Sequence, residues 1–519
     1  MRALKKRPFS VYCFYSFFQW FDTASRRRKM VFSNLFFIYM FLPLSLIAYF
    51  LAKDIKAKNI VLLCFSLFFY AWGEPKYVFI LIAEAFADYV LALAIEKNRK
   101  DKKKAKLALI GAVAVDLGLL CIFKYLTFIL GNVKNITGAQ FEVMQIALPI
   151  GISFYTFQLL SYVVDVYRGE VEAQKDFTYV LLYASLFHQC IAGPIVRYQD
   201  VCREIVSRKT DLNQISKGIT RFAVGLGKKA LLANVCGEIA DMVLLSDSAL
   251  AVAADYEKNL ALLQSRPALG LWFGVLMYML QIYLDFSAYS DMAIGMGQMI
   301  GFHYKENFDY PYMSKSVGEF WRRWHMSLGS FFRDYVYIPL GGNRKGMART
   351  IFNMFVVWAL TGLWHGASWN FVLWGLYFFV FLVLERLFLG EKLKKAPPAV
   401  SHIYLLVIVY FGWVLFRFRN LGFVGTVLKG MFGLNANGFT SFEISALVKN
   451  NIFFLIVAII AATPIMKYVG KLLNSVSKTN PYAAVFNVTR KIIVPVALLI
   501  LSTMSLVGDS YNPFLYFQF

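Results

Sequence analysis

The chain has 519 residues, of which 59% are hydrophobic and 17% aromatic, whereas only 16% are charged. A soluble protein carries about 25% charged residues, so this composition excludes a soluble globular protein. The net charge of +23 comes from short basic clusters between apolar runs, which is typical of membrane proteins and argues against nucleic acid as a partner.

The first 29 residues differ from the rest of the chain. They hold a short aromatic run between two basic clusters, the second of which is Arg26 to Lys29, and Met30 begins a continuous apolar run. No small-residue cleavage site follows, which disfavours a cleavable signal peptide and leaves an interfacial helix or an upstream misreading of the start codon. We interpret residues 1–29 as an extension that contributes little to chemistry, and residues 30–519 as a single membrane domain.

Apolar runs along the rest of the chain predict membrane-spanning helices. A crossing needs about 20 apolar residues, and a helix satisfies its own backbone hydrogen bonds in lipid. Some runs are too short to cross alone, so we predict an all-α polytopic membrane protein with about eleven crossings and additional re-entrant or interfacial helices. The runs occupy residues 31–52, 59–73, 77–95, 107–131, 145–164, 178–195, 216–245, 268–300, 350–364, 369–390, 402–418, 451–470 and 490–508.

Two polar segments interrupt this apolar pattern. The basic cluster at 97–106 is predicted to keep its loop on the cytoplasmic side and to attract anionic lipid headgroups. Residues 302–349 mix aromatic and charged residues between two long apolar segments. We predict that 302–349 is a polar insertion held against the membrane, and we expect the chemistry of the protein to lie there.

The chain has five histidines, of which His365 is the strongest candidate for chemistry. It lies between two apolar runs, where an ionisable group is costly and usually functional. Histidine is the side chain best suited to proton transfer near neutral pH. The neighbouring Trp364 is a candidate wall of an acyl tunnel. The alternative for His365 is an interfacial histidine in an aromatic belt.

His325 is the second candidate and lies in the polar insertion. Apolar residues around it recur every three or four positions, which predicts a helix lying in the membrane interface. Arg322 and Arg323 fall on other faces of this helix and could contact a phosphate-bearing donor such as coenzyme A. A lipid-surface helix without a catalytic part is the alternative.

Two carboxylates, Asp285 and Asp291, lie inside or beside a long apolar segment. A buried Asp needs a partner, so Asp285 is predicted to orient a histidine, to bind a substrate hydroxyl, or to belong to a structural hydrogen-bond network. We interpret the remaining histidines, His188, His303 and His402, as structural. No residues have metal-ligand spacing and the six cysteines are scattered, so we expect neither a bound metal nor disulfides.

Several motifs, taken in order, resemble the membrane-bound O-acyltransferases (MBOAT) and, within them, the subgroup of alginate O-acetyltransferases that modify polysaccharides. The resemblance covers essentially residues 30–519. The matching motifs are Met30–Asn34, Leu67–Gly73, Pro149–Tyr155, Ala192–Ile195, Leu284–Met292, Phe320–His325, Tyr337–Arg344, Gly362–Gly366 and Tyr516–Phe519.

The resemblance implies a helical fold around a central tunnel and an O-acyltransferase activity. The family has a histidine in an apolar segment, preceded by Asn or His in a more polar segment, and these correspond here to His365 and His325. His365 is then expected to act as general base on a hydroxyl, and His325 to orient it or share that role. The candidate substrate- or donor-binding residues are Arg322, Arg323, Asp285, Trp364 and Asn343.

The resemblance further implies that the acyl group, expected to be acetyl, comes from a cytoplasmic thioester, with acetyl-CoA as donor substrate and no bound cofactor. In such polysaccharide systems an extracytoplasmic partner with a serine nucleophile accepts the acetyl group, so we expect a separate partner protein and a location in the plasma membrane. One alternative is a D-alanyl transferase for teichoic acid, fed by a carrier protein. Another is a transporter or flippase, although no internal repeat supports it.

Overall fold

A computed structural model describes residues 30–190 and 193–508, together with Tyr511 and Leu515. The predicted extension at 1–29 and the motif at 516–519 lie outside the described residues. All regular secondary structure in the described part of the chain is helical, which confirms the predicted all-α fold class.

The helices follow one another with short connections. The first twelve are α1 (Leu42–Leu51), α2 (Ile55–Gly73), α3 (Val78–Lys97), α4 (Lys102–Leu120), α5 (Leu126–Thr137), α6 (Ile152–Arg168), α7 (Phe177–Ser185), α8 (Tyr198–Val206), α9 (Leu212–Gly227), α10 (Asn234–Leu244), α11 (Asp247–Leu250) and α12 (Tyr256–Ser265). The next twelve are α13 (Ala268–Met299), α14 (Val317–Arg323), α15 (Met326–Phe332), α16 (Gly346–His365), α17 (Trp369–Leu384), α18 (Gly390–Lys395), α19 (Pro398–Arg417), α20 (Leu421–Met431), α21 (Phe442–Asn450), α22 (Ile452–Ala461), α23 (Ile465–Val476) and α24 (Pro481–Gly508).

Short π-helical and 3-10 segments bend or extend several of these helices. The π-helical segments in the described residues are Phe37–Phe41, Cys121–Tyr125, Lys228–Ala233, Arg333–Tyr337 and Glu385–Leu389, and the 3-10 segments are Ala253–Asp255 and Pro311–Met313. Because Cys121–Tyr125 joins α4 to α5, these two helices form one continuous span, Lys102–Thr137.

The described residues contain eight helices long and apolar enough to cross a membrane, or nine if the bent pair α21 and α22 is one span. The predicted count of eleven crossings is therefore not confirmed. The apolar runs at 145–164 and 178–195 form the helices α6 and α7, of 17 and 9 residues, which are shorter than the about 20 residues of a typical crossing.

The end of α6 and the segment that follows it contact both the polar insertion and the helix next to the basic loop 97–106. These contacts place the insertion and the loop at the same end of the helical bundle. Lys175 Nζ lies 3.0 Å from Glu96 Oε2, near the end of α3 and next to that loop. Arg168, the last residue of α6, donates a hydrogen bond of 2.8 Å to the backbone carbonyl of Asp334 in the insertion. We call this end of the bundle the basic-loop end.

The buried apolar side chains form two hydrophobic cores. The first core joins many residues of 30–206 to parts of the insertion, and the second joins residues between 233 and 462. Helix α13 is the most enclosed of the candidate spans and contributes to both cores. The α16–α17 hairpin crosses their boundary, since Trp364 belongs to the first core and Trp374 to the second.

Two glycines allow α16 and α17 to pack backbone against backbone. A Cβ atom on Gly362 would collide with the carbonyl oxygen of Phe371, and one on Gly375 would collide with the carbonyl oxygen of Trp358. Small residues permit this close approach of membrane helices. The hairpin therefore holds the end of α16 in a fixed position relative to the start of α17.

Candidate active site

His365 ends helix α16 and is enclosed by aromatic rings. The residue is only 2% exposed. Its ring centroid lies 5.0 Å from that of Trp364, 4.9 Å from that of Trp374 and 5.3 Å from that of Phe416, each in an edge-on arrangement. The imidazole is therefore placed in a dry aromatic environment at the tip of the hairpin.

His325 contacts the same indole as His365. Its ring centroid lies 5.5 Å from that of Trp364, and the residue is 2% exposed. Its backbone lies in the left-handed region, with φ 44° and ψ 55°, immediately before α15. Such a conformation is uncommon outside glycine, and strained residues cluster at functional sites. The structure thus brings the two predicted catalytic histidines together around one tryptophan.

Asn307 determines which ring nitrogen of His325 carries the proton. Its side-chain Oδ1 accepts a hydrogen bond of 3.2 Å from the backbone N–H of Ser327 and lies 3.2 Å from His325 Nδ1. Because a backbone N–H can only donate, this oxygen is the acceptor, and Nδ1 of His325 carries the proton. The other ring nitrogen, Nε2, is then the one able to take up a proton from a hydroxyl.

Asn307 is itself held in place by several hydrogen bonds. Its Nδ2 donates to Ser290 Oγ at 3.1 Å, and its backbone carbonyl accepts from the N–H of Met326 at 2.9 Å. The side chain and backbone of Asn307 therefore both support the strained turn at His325. Burial lowers the pKa of His325 to about 3, which favours the neutral imidazole.

We expect Asn307→Ala to lower acyl transfer about tenfold or more. The change leaves the His325 ring and the Ser327 N–H without their acceptor, which costs about 1–3 kcal/mol, and about 1.4 kcal/mol corresponds to a factor of ten in rate. The measurement is activity per amount of membrane-inserted protein. Ser290→Ala is the matched control, because it removes only the contact to Asn307 Nδ2. Wild-type activity in Asn307→Ala would contradict this role.

Asp285 is placed in a buried ion pair. Its carboxylate Oδ1 lies 2.9 Å from Lys229 Nζ, and both side chains are 2% exposed. Its other oxygen accepts a hydrogen bond of 3.1 Å from the backbone N–H of Leu515. A buried carboxylate needs a partner, and for Asp285 this partner is Lys229, which lies in the π-helical segment between α9 and α10.

The other predicted donor-binding residues lie at or near the surface of the polar insertion and are not gathered around the two histidines. Arg323 is bound to carboxylates, with Nη2 2.9 Å from Glu319 and Nη1 3.4 Å from Asp309. Arg322 is exposed and borders a cavity of about 830 Å³, and Asn343 is exposed in the turn before α16.

Two cavities are each lined by a neighbour of one of the histidines. A cavity of about 670 Å³ is lined in part by Asn307, which contacts His325, and by Met326. A second cavity, of about 900 Å³, is lined by Phe416, which contacts His365, and by Arg417 and Asp247. Each histidine is therefore separated from a cavity by one contacting residue, Asn307 for His325 and Phe416 for His365.

The second cavity lies away from the basic-loop end. Helix α19 begins beside the polar insertion, where His402 Nδ1 donates to the Ser314 carbonyl oxygen at 3.0 Å. The helix then runs 20 residues to Arg417, which borders the cavity. Arg417 Nη2 lies 2.7 Å from Asp241, and Arg417 also pairs with Asp247, so this cavity is bordered by a network of charges.

Sequence reasoning missed two residues close to the histidines, Asn307 and Lys124. The Lys124 ammonium donates to Ser153 Oγ at 2.9 Å and to the carbonyl oxygen of Trp364. A lone lysine inside the apolar run 107–131 is a signal that could have found it, because ionisable groups in such runs are usually functional. Asn307 carries no comparable signal, since it is one polar residue among many in the insertion.

Within the described residues, no three His, Cys, Asp or Glu side chains converge in a way that could hold a metal ion. What the site offers is a pair of imidazoles for proton transfer, an aromatic enclosure and two adjoining cavities. Together with the helical spans, these features define a polytopic membrane protein suited to acid–base chemistry on a bound hydroxyl.

The chain belongs to the membrane-bound O-acyltransferase family, whose model matches residues 135–421. It is 36% identical to a probable alginate O-acetylase AlgI of Pseudomonas putida, over 94% of this chain and 100% of that protein. It is 32% identical to a peptidoglycan O-acetyltransferase of Helicobacter pylori, over 78% of this chain and 80% of that protein.

A more distant relative is a teichoic acid D-alanyltransferase of Bacillus subtilis, 25% identical over 52% of this chain and 67% of that protein. These relationships confirm the predicted family. They identify the chain as an O-acyltransferase and not as the transporter or flippase of the alternative interpretation.

Proposed function

We propose that the protein takes an acetyl group from acetyl-CoA in the cytoplasm and transfers it across the plasma membrane, for O-acetylation of an extracellular or cell-wall polysaccharide. The observation that carries this proposal is that buried His325 and His365 meet at Trp364. The similarity to proteins named for alginate and peptidoglycan O-acetylation supports acetyl as the acyl group and a glycan as the final acceptor.

The proposed orientation follows from the basic loop 97–106. Loops rich in lysine and arginine stay on the cytoplasmic side, so the basic-loop end and the polar insertion would face the cytoplasm. The cavity beside Asn307 would then receive the donor. Arg322, Arg323 and Asn343 are proposed to meet donor phosphates at that surface. The cavity beside Arg417 would face the outside and receive the acceptor.

The chemistry proposed for the two histidines is general base catalysis. The acceptor hydroxyl oxygen attacks the thioester carbonyl carbon, so that a C–O bond forms and the C–S bond breaks. His365 takes the hydroxyl proton and returns it to the leaving thiolate, and His325 orients the acceptor or shares the proton. The aromatic enclosure, including Trp364, excludes water that would otherwise hydrolyse the thioester.

The acceptor proposed for this step is a separate extracytoplasmic protein with a serine nucleophile, which then acetylates the polymer. The described chain is mostly helical, and the longest segment between two of its α-helices, 300–316, has 17 residues. A serine hydroxyl presented on an exposed loop of a partner would fit the outer cavity of about 900 Å³.

The test uses cells that lack the gene and carry the wild-type or an empty plasmid. Ester-linked acetate and ester-linked D-alanine are measured on envelope and secreted polymers, and inside-out membrane vesicles are given labelled acetyl-CoA. We expect the wild type to restore acetate esters and to remove label from acetyl-CoA. Restoration of D-alanine esters alone would overturn the proposal in favour of the D-alanyl transferase alternative.

A further inference from the structure

Lys124 is a buried lysine that the proposed chemistry does not use. It is 7% exposed and belongs to the π-helical segment Cys121–Tyr125, inside the apolar span Lys102–Thr137. A π-helical turn inside an α-helix is rare and occurs frequently at functional sites. An ionisable residue within an apolar span is costly, and such residues usually have a function.

The contacts of this segment converge on the end of α16. Lys124 Nζ donates to the carbonyl oxygen of Trp364 and, at 2.9 Å, to Ser153 Oγ. The next residue, Tyr125, donates its hydroxyl to the carbonyl oxygen of Leu363 at 2.9 Å. Two consecutive side chains of one helix thus bind two consecutive carbonyl groups of another.

Both carbonyls belong to the last turn of α16, where the Leu363 carbonyl also accepts from the N–H of Gly366 at 3.2 Å. The last four C=O groups of an α-helix have no N–H four residues ahead, and α16 ends at His365. Lys124 therefore satisfies, by a hydrogen bond, the carbonyl of Trp364, the residue that directly precedes His365.

The Trp364 side chain is held by the same two residues, Lys124 and Ser153. Its Nε1 donates to the backbone carbonyl of Ser153 at 3.4 Å, and Lys124 Nζ lies 5.7 Å from the centroid of its ring. Because Trp364 contacts both histidines, a shift of its backbone would move the indole between them as well as His365 itself.

We propose that Lys124 is a positioning residue, which holds the end of α16 so that His365 and Trp364 keep the geometry that acyl transfer needs. The inference rests on the proposed role of His365 in acetyl transfer. Lys124 acts through the backbone of Trp364 and not on the reacting atoms. Misplacing a reacting group by about 1 Å can cost about a hundredfold in rate, so the loss of this contact should appear in kcat.

The test compares Lys124→Met, which has similar length and no donor, with the wild type in inside-out vesicles, using acetyl-CoA as the probe. We expect kcat to fall at least about tenfold while KM for acetyl-CoA stays within about threefold. Ser153→Ala is the matched control, because it removes one partner of Lys124 and leaves the carbonyl contact in place. It should stay close to wild-type kcat.

Hydrogen–deuterium exchange provides a second readout that is independent of activity. Amide exchange at 363–368 should rise in Lys124→Met, because the helix end loses its anchor. Unchanged kcat together with unchanged exchange overturns the inference, as does a rise in KM with kcat unchanged, which would make Lys124 a donor-binding residue.

Two further outcomes are also decisive. If Lys124→Met does not accumulate in the membrane, Tyr125→Phe removes the neighbouring carbonyl contact alone. A wild-type kcat and wild-type exchange in Tyr125→Phe would then overturn the inference. If the wild type itself does not use acetyl-CoA, the proposed function fails, while faster exchange at 363–368 in Lys124→Met would still support the positioning role.

Discussion

His365→Ala is expected to abolish acetyl transfer while the protein remains folded in the membrane. Removing a general base costs about 10²–10⁴-fold in rate, so the acetate content of the polymer should fall to the level of cells without the gene. The ring lies at a helix end, so its loss leaves the backbone hydrogen bonds of the helical spans in place. The measurement is ester-linked acetate, normalised to the amount of membrane-inserted protein.

His303→Ala is the matched control for this experiment. His303 is more exposed, and its Nδ1 lies 2.7 Å from Glu204, away from the aromatic enclosure. This variant should keep wild-type acetate content. If His365→Ala also keeps it at normal protein level, the histidine is structural and its assignment as general base must be abandoned.

Lys229→Met is expected to have the largest effect on stability. Lys229 and Asp285 form an ion pair whose side chains are each 2% exposed. Removing one member of such a pair leaves an uncompensated buried charge, which costs about 3–5 kcal/mol. The apparent melting temperature in detergent and the level of inserted protein should therefore both fall.

The double variant Lys229→Met, Asp285→Leu distinguishes a structural pair from a substrate-binding carboxylate. Replacing both charges by apolar side chains of similar volume is often close to neutral. We therefore expect the double variant to regain most of the melting temperature and the acyl transfer activity. Recovery of stability without recovery of activity would instead place Asp285 in the binding of substrate.

The two histidines could be selected from sequence because the signal is local: few histidines occur, and each lies in a distinctive setting. Asp285 could be recognised as a residue in need of a partner, and Lys229 lies in another apolar run, but their pairing is a property of the tertiary structure. Lys124 has a local signal, as a lone lysine in an apolar run, and Asn307 has none, but the contacts of both are with distant residues. Hydropathy can indicate that a residue is buried, but not which carbonyl or imidazole it meets.

The number of crossings shows a related limit. Apolar composition alone does not separate a helix that spans lipid from a shorter helix that is buried inside the protein. Helix α6 has an apolar sequence, yet most of its residues are enclosed by other helices, and it is 17 residues long. Counting apolar runs therefore does not fix the number of spans in a protein whose centre is filled by helices.

The boundary between the two hydrophobic cores has a consequence for the biogenesis of the enzyme. The rings around His365 come from both cores, with Trp364 from the first, and Trp374 and Phe416 from the second. During synthesis from the N-terminus, a chain that has emerged only as far as α17 lacks the Phe416 wall of the site. A nascent chain therefore lacks part of the enclosure that excludes water, and the site is complete only after α19 has been inserted.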